Sequence, residues 1–180
     1  MPIRFPSITG APKALKACVI FDSRYGNTER IAKSFEAGLQ QSGVETVCIN
    51  AWSVTVDGSL AQYDLICIGA PTEWHSASKP MKAFLRNLKG IDLSGRYGFA
   101  FDTRFAAPLS GSAAKLIEKE LKDRGVLIIA PRESAIVASL KGAMVLKEGE
   151  EARFREIGAR IGATLAAKGT TVSSAGQGDN

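Results

Sequence analysis

The chain has 180 residues, of which 45% are hydrophobic and 23% charged, and it carries a formal net charge of +5. That balance suits one domain with a substantial core. Three cysteines, Cys18, Cys48 and Cys67, cannot pair completely and each lies in an apolar run, so buried, reduced thiols are expected in place of a disulfide framework. Residues Met1 to Lys16 contain Pro2, Pro6 and Pro12 but no apolar stretch long enough for a secretion signal or a membrane span, and a cytoplasmic protein is expected. The cations are scattered along helix faces beside acids, which argues against a nucleic-acid partner.

Ala17 to Phe21 is a short continuous apolar run, the pattern of a strand covered on both faces. Beyond the polar stretch Asp22-Ser23-Arg24-Tyr25-Gly26, Ile31, Phe35 and Leu39 recur every four residues and predict a helix from Asn27 to Ser42-Gly43. Val44 to Ile49 reads as a second strand, interrupted by Glu45 and Thr46 as at a sheet edge, and Ala51 to Tyr63 as irregular. Leu65 to Ile68 is a third strand, ended by Gly69-Ala70-Pro71-Thr72. Met81, Phe84, Leu85 and Leu88 mark a second helix that closes at Gly90. Tyr97 to Phe101 is a fourth strand, Asp102 to Leu109 a loop, and Leu116, Ile117 and Leu121 the stripe of a third helix ending at Gly125. Val126 to Ala130 and Ser134 to Ala138 form a fifth strand broken at Pro131, a residue that favours an edge position. A last helix runs from Glu150 to Ala167. The expected division is an extension over 1–14, one domain over 15–168 and a disordered tail over 169–180.

Strands alternating with helices predict an α/β fold: a three-layer, doubly wound sandwich around a five-stranded parallel sheet. Ligands of such sheets sit outside the carboxyl ends of the strands. The loops Asp22 to Thr28, Pro71 to Ser78 and Asp102 to Leu109 are therefore expected to converge. The first loop opens a helix, where free backbone N–H groups, hydroxyls and the positive end of the helix dipole suit an anion, most simply a phosphate. Neither a Walker loop nor Gly-x-Gly-x-x-Gly follows the first strand, and the third strand ends in Gly69-Ala70-Pro71, where a receiver domain needs a phosphoacceptor aspartate. Cys18 and Arg24 have the spacing of a phosphatase loop, but Val19, Ile20 and Phe21 belong to the strand and hold the thiol away from the loop, at about 3.3 Å per residue.

Ser23-Arg24-Tyr25-Gly26-Asn27-Thr28 resembles the phosphate loop of the flavodoxin family, with Tyr25 in place of the usual small hydroxyl residue. Gly69-x-Pro71-Thr72 with Met81-Lys82-Ala83-Phe84-Leu85 resembles the family's third-strand loop and following helix, and Asp102-Thr103-Arg104-Phe105 its fourth loop, with Phe105 replacing tyrosine. The resemblance implies strand order 2-1-3-4-5 and FMN as cofactor. Ser23, Tyr25, Gly26, Asn27 and Thr28 would surround its phosphate, with Arg24 either on the phosphate or facing solvent; Thr72, Glu73, Trp74 and His75 would face the redox edge of its ring, with Pro71 beside them in the cofactor site, and Asp102, Thr103, Arg104 and Phe105 the pyrimidine edge. Trp74 and Phe105 are the expected flat walls. No catalytic residue and no metal ligand is expected; His75, the only histidine, lacks metal-ligating company. Residues Pro71 to Lys79 contain no glycine, so a peptide flip of the carrier type would place a side chain at positive φ, and weak stabilisation of one-electron-reduced flavin is expected. The compact length favours electron transfer with a redox partner or small-molecule donor and acceptor. Tyr25 and the glycine-free loop resemble the NAD(P)H:quinone reductases of the family, and a flavin-free binding module on the same fold is a third reading.

Overall fold

The computed structural model describes residues 14–174 apart from Thr55 and Pro108. The first apolar run is β1 (Lys16–Phe21), in which Ala17, Val19 and Phe21 join one core while Cys18 and Ile20 join the other. Burial on both faces is what an unbroken apolar run demands of a strand. It is followed by α1 (Asn27–Gln41) and by β2 (Glu45–Asn50), which pairs parallel to β1 and is only partly buried. After a single 3-10 turn at Gly58–Gln62 come β3 (Leu65–Glu73), β4 (Ser76–Ala77), α2 (Lys79–Asn87), β5 (Tyr97–Phe105) and α3 (Ala113–Lys122). The chain then forms β6 (Leu127–Ile128), β7 (Glu133–Leu140), β8 (Ala143–Leu146) and α4 (Glu150–Ser174).

The sheet runs β2-β1-β3-β5-β7-β8, so the five predicted parallel strands stand in the expected order, with β6 and β7 both on β5 as the two halves of the fifth. α1 and α4 cover one face over Phe35, Phe99, Phe101 and Phe154, whose neighbouring ring centroids lie 5.1–6.2 Å apart. α2 and α3 cover the other over Ile20, Ile66, Ile68 and Ala100.

Three expectations are corrected. Pairing of β3 does not end at Gly69: Ala70 and Pro71 continue it opposite Asp102 and Thr103. The Gly69 carbonyl accepts from the Asp22 amide on the β1 side, so alternation turns the donor-less nitrogen of Pro71 to that same side, where β1 has already ended. Likewise Asp102 to Phe105 is strand, because the break at Pro131 shifts β7 along β5 until Glu133 to Val137 pair with Phe101 to Phe105. Pro131 lies in the break between β6 and β7, both of which pair with β5, and β8 covers only Val137 to Leu140 of β7, so among the described residues no strand lies outside the proline and the expected edge position holds. Finally, α4 continues past Ala167 to Ser174; the rest of the expected tail, and 1–13 of the expected extension, lie outside the described residues.

Candidate functional site

Where β1 ends, Gly26 adopts φ 80° and turns the chain into α1. That left-handed conformation, cheap only for glycine, leaves the helix without a side-chain cap, so its first N–H groups face the loop. The Ser23 hydroxyl beside them is buried and has no hydrogen-bond partner. A buried unpaired hydroxyl next to an uncapped helix end is a site built for an acceptor that the protein itself does not supply. Thr28 Oγ1 is buried and shares a 2.8 Å hydrogen bond with Thr103 Oγ1, while Asn27 donates from Nδ2 to the Met144 carbonyl at 2.9 Å. Arg24 is exposed and lies over the Tyr25 ring, 5.3 Å from its centroid.

Two buried aspartates set the neighbouring loops. Asp22 accepts from the hydroxyl of Ser78, the N-cap of α2, and from Trp52 Nε1 at 2.7 Å. Asp102 does the same for α3: its Oδ2 accepts from the N-cap hydroxyl of Ser112 at 2.7 Å, from the Ala114 amide at 3.0 Å and from Thr72 Oγ1 at 3.0 Å. Each carboxylate also favours the positive helix end beside it. Asp102 is thus an anchor of α3, turned away from the cavity its strand borders.

The remaining wall is a pair of tight hairpins. Glu73 pairs with Ser76 across Trp74 and His75, whose φ values of 47° and 67° are those of a type I′ turn. Leu140 pairs with Ala143 across Lys141 and Gly142, at 49° and 82°. The first hairpin is fastened to the loop before α3 by a parallel bridge between His75 and Gly111. A Cβ on Gly111 would stand 2.3 Å from His75 Cα, so only glycine permits that approach. Arg104 closes the corner, donating from Nε to Ser134 Oγ at 3.1 Å and from Nη1 to the Gly111 carbonyl at 3.0 Å and Ser110 Oγ at 3.2 Å.

These pieces enclose a cavity of about 470 Å³ at the carboxyl end of the sheet. Ser23, Arg24, Tyr25, Asn27, Thr28, Pro71, Thr72, Glu73, Trp74, Thr103, Arg104 and Phe105 line it, so the three loops do converge. Of the predicted residues, Gly26, His75 and Asp102 do not line it; Gly26 shapes the loop, His75 supplies backbone to the bridge, and Asp102 holds α3. Trp74 is 95% exposed at its hairpin tip. Val137 and Met144 also line the cavity and were not expected. The signal for Met144 was Lys141-Gly142 between two apolar stretches, a two-residue hairpin turn. Cys18 is buried within β1, and desolvation pushes its thiol up to about 12, so it is no phosphatase nucleophile. Among the described residues no group of His, Cys, Asp and Glu is placed to hold a metal ion, and no helix is long and apolar enough to cross a membrane.

The Flavodoxin domain family profile matches residues 18–132. A flavodoxin of Clostridium saccharobutylicum is 31% identical over 119 residues, 63% of this chain and 72% of that protein. A putative diflavin flavoprotein A 5 of a Nostoc species is 30% identical over 123 residues, and there the match spans 63% of this chain but only 20% of the relative. Among solved structures, a flavodoxin from the domain Archaea superposes with a TM-score of 0.72 at 22% identity, over 84% of this chain and 99% of the other.

Proposed function

Since this chain belongs to the flavodoxin domain family, we propose that its cavity binds FMN by the phosphate at Ser23 to Thr28 and that the protein is an electron carrier. The observation that carries this reading is the buried, unpartnered Ser23 hydroxyl beside the uncapped start of α1. A phosphate dianion supplies the acceptors that both lack, and binding through neutral donors satisfies it without an ion pair. The Thr28 hydroxyl, held by Thr103, stands in the same wall.

When bound, FMN supplies reversible electron transfer through its ring. The chain's own work is to hold and enclose that group. Thr103 and Phe105, carried on β5 to its last residue, and Thr72 on β3 form rigid strand walls, where a loop would leave the ring loosely placed. Trp74 offers an aromatic face at the mouth. No side chain is required as acid, base or nucleophile. The three free cysteines fit a reducing compartment, and we place the protein in the cytoplasm, passing electrons between redox partners.

The test compares FMN with riboflavin, which lacks the phosphate, by quenching of flavin fluorescence. Wild-type protein is expected to prefer FMN strongly. Ser23→Ala should weaken FMN binding by about tenfold, the worth of one hydrogen bond to a charged acceptor of about 1.5 kcal/mol, and leave riboflavin binding unchanged. Equal affinities for the two flavins in the wild type would overturn phosphate anchoring, and the absence of any quenching would overturn the flavin reading itself. Direct bleaching of the bound flavin by NADPH would replace the carrier by an oxidoreductase.

A further inference from the structure

We propose that Arg104 sets the reduction potential of the flavin, as a fixed cation of the cavity wall that favours the reduced state; this rests on the FMN reading above. Arg104 is half-buried on β5 and lines the cavity between Thr103 and Phe105. Its guanidinium is tied by three hydrogen bonds, and all three acceptors, Ser134 Oγ, Ser110 Oγ and the Gly111 carbonyl, are neutral. Among the described residues no carboxylate lies within ion-pair distance of it, whereas Arg124 and Arg132 each have one and Arg153 has two. Asp102, two residues back on the same strand, is not among its partners: Oδ2 accepts from Thr72, Ser112 and the Ala114 amide, and Oδ1 is buried without a hydrogen-bond partner.

Two other charged residues line the cavity. Arg24 is exposed and rests on Tyr25, where water screens it. Glu73 is the one acid of the lining, half-buried at the end of β3 beyond its last pair with β5, Pro71 opposite Thr103. Removal of a fixed, partly desolvated charge at Arg104 therefore alters the potential inside the cavity more than removal of a solvated one.

Above neutral pH, reduction adds two electrons and one proton to FMN and leaves one negative charge on its ring system. A neighbouring cation stabilises that state relative to the neutral oxidised ring. At an effective dielectric constant of about 20, a unit charge about 10 Å away changes such an equilibrium roughly tenfold. For a two-electron couple that is about 30 mV.

The experiment is an anaerobic titration of FMN-loaded wild type, Arg104→Gln and Arg104→Lys at pH 8, with dithionite as reductant and mediator dyes, alongside the affinity of each for oxidised FMN. Arg104→Gln is expected to lower the two-electron midpoint by about 30 mV, a roughly tenfold loss of affinity for reduced over oxidised FMN. Arg104→Lys, which keeps the charge and loses the fork, should stay close to wild type. If Arg104→Gln does not fold, Arg104→Met gives a neutral side chain of similar length with the same expectation. An unchanged midpoint in the neutral variants overturns the proposal, as does an equal shift in Arg104→Lys, which would make the tethering and not the charge responsible. Wild-type protein that binds no FMN overturns the underlying reading instead, and the fluorescence measurement identifies that outcome separately.

Discussion

Trp74 and His75 hold backbone conformations that L-residues adopt only at a cost of about 1–2 kcal/mol each, and neither has the composition that usually announces a type I′ turn. What keeps them there is the bridge from His75 to Gly111, itself fastened by Arg104. The absence of glycine between Pro71 and Lys79 thus did not exclude positive φ from this loop; it moved the strain into the ground state of the turn. His75→Gly should relieve part of it. Because glycine loses more freedom on folding, the net gain is about 0.5–1 kcal/mol, a rise in Tm of about 2 °C by differential scanning calorimetry. A fall in Tm would mean that the imidazole itself holds the loop.

Among elements, the contact between α1 and α4 shows how backbone can be packed against backbone. A Cβ on Gly38 would come within 2.0 Å of the Arg155 carbonyl oxygen, and one on Gly158 within 2.3 Å of the Phe35 carbonyl oxygen. Ser42 Oγ, donating to the Ala159 carbonyl at 2.8 Å, ties the same two helices. Gly158→Ala must push them apart, at a cost of about 2 kcal/mol for overpacking and a fall in Tm of about 4–8 °C. Gly58→Ala, at a glycine with open space around its missing Cβ and no positive φ, is the control and should be near neutral. Equal effects at both positions would show that helix propensity, not the close approach, sets the result. This seam matters to the site because α1 carries Asn27 and Thr28 into the cavity.

Across the whole molecule, the three thiols form a largely buried set whose ionisation is linked to folding. Burial pushes Cys18 and Cys48 up to about 12 from an ordinary value of 9.0, and Cys67 well above that ordinary value. The folded state therefore keeps protons that the unfolded chain releases once the pH passes about 9, so this contribution to stability is complete below that pH and declines as the pH rises towards 12. The urea midpoint is expected to fall between pH 9 and pH 11, with a shallower slope in Cys18→Ala. At pH 8 the native protein should resist a thiol reagent that labels all three cysteines in urea. A midpoint independent of pH over that range, or rapid labelling of the native state, would contradict the burial.

The sequence by itself determined the architecture and the whereabouts of the site. Unbroken apolar runs at Ala17 to Phe21 and Leu65 to Ile68 can be satisfied only by strands covered on both faces, and the four-residue stripe after Gly26 only by a helix lying on them. Those are local patterns, and local patterns are visible in a linear chain. The tertiary structure alone decided what each site residue does. Ser23 and Asp102 are both small polar residues near strand ends; only long-range pairing turns the Ser23 hydroxyl towards an uncapped helix and the Asp102 carboxylate towards Ser112 and Ala114. Met144 reaches the cavity because β8 folds back on β7, and Arg104 keeps an unpaired charge because its neighbours from β7 and the loop before α3 are all neutral. Charge environment and side-chain direction depend on residues distant in sequence, and no periodicity records them.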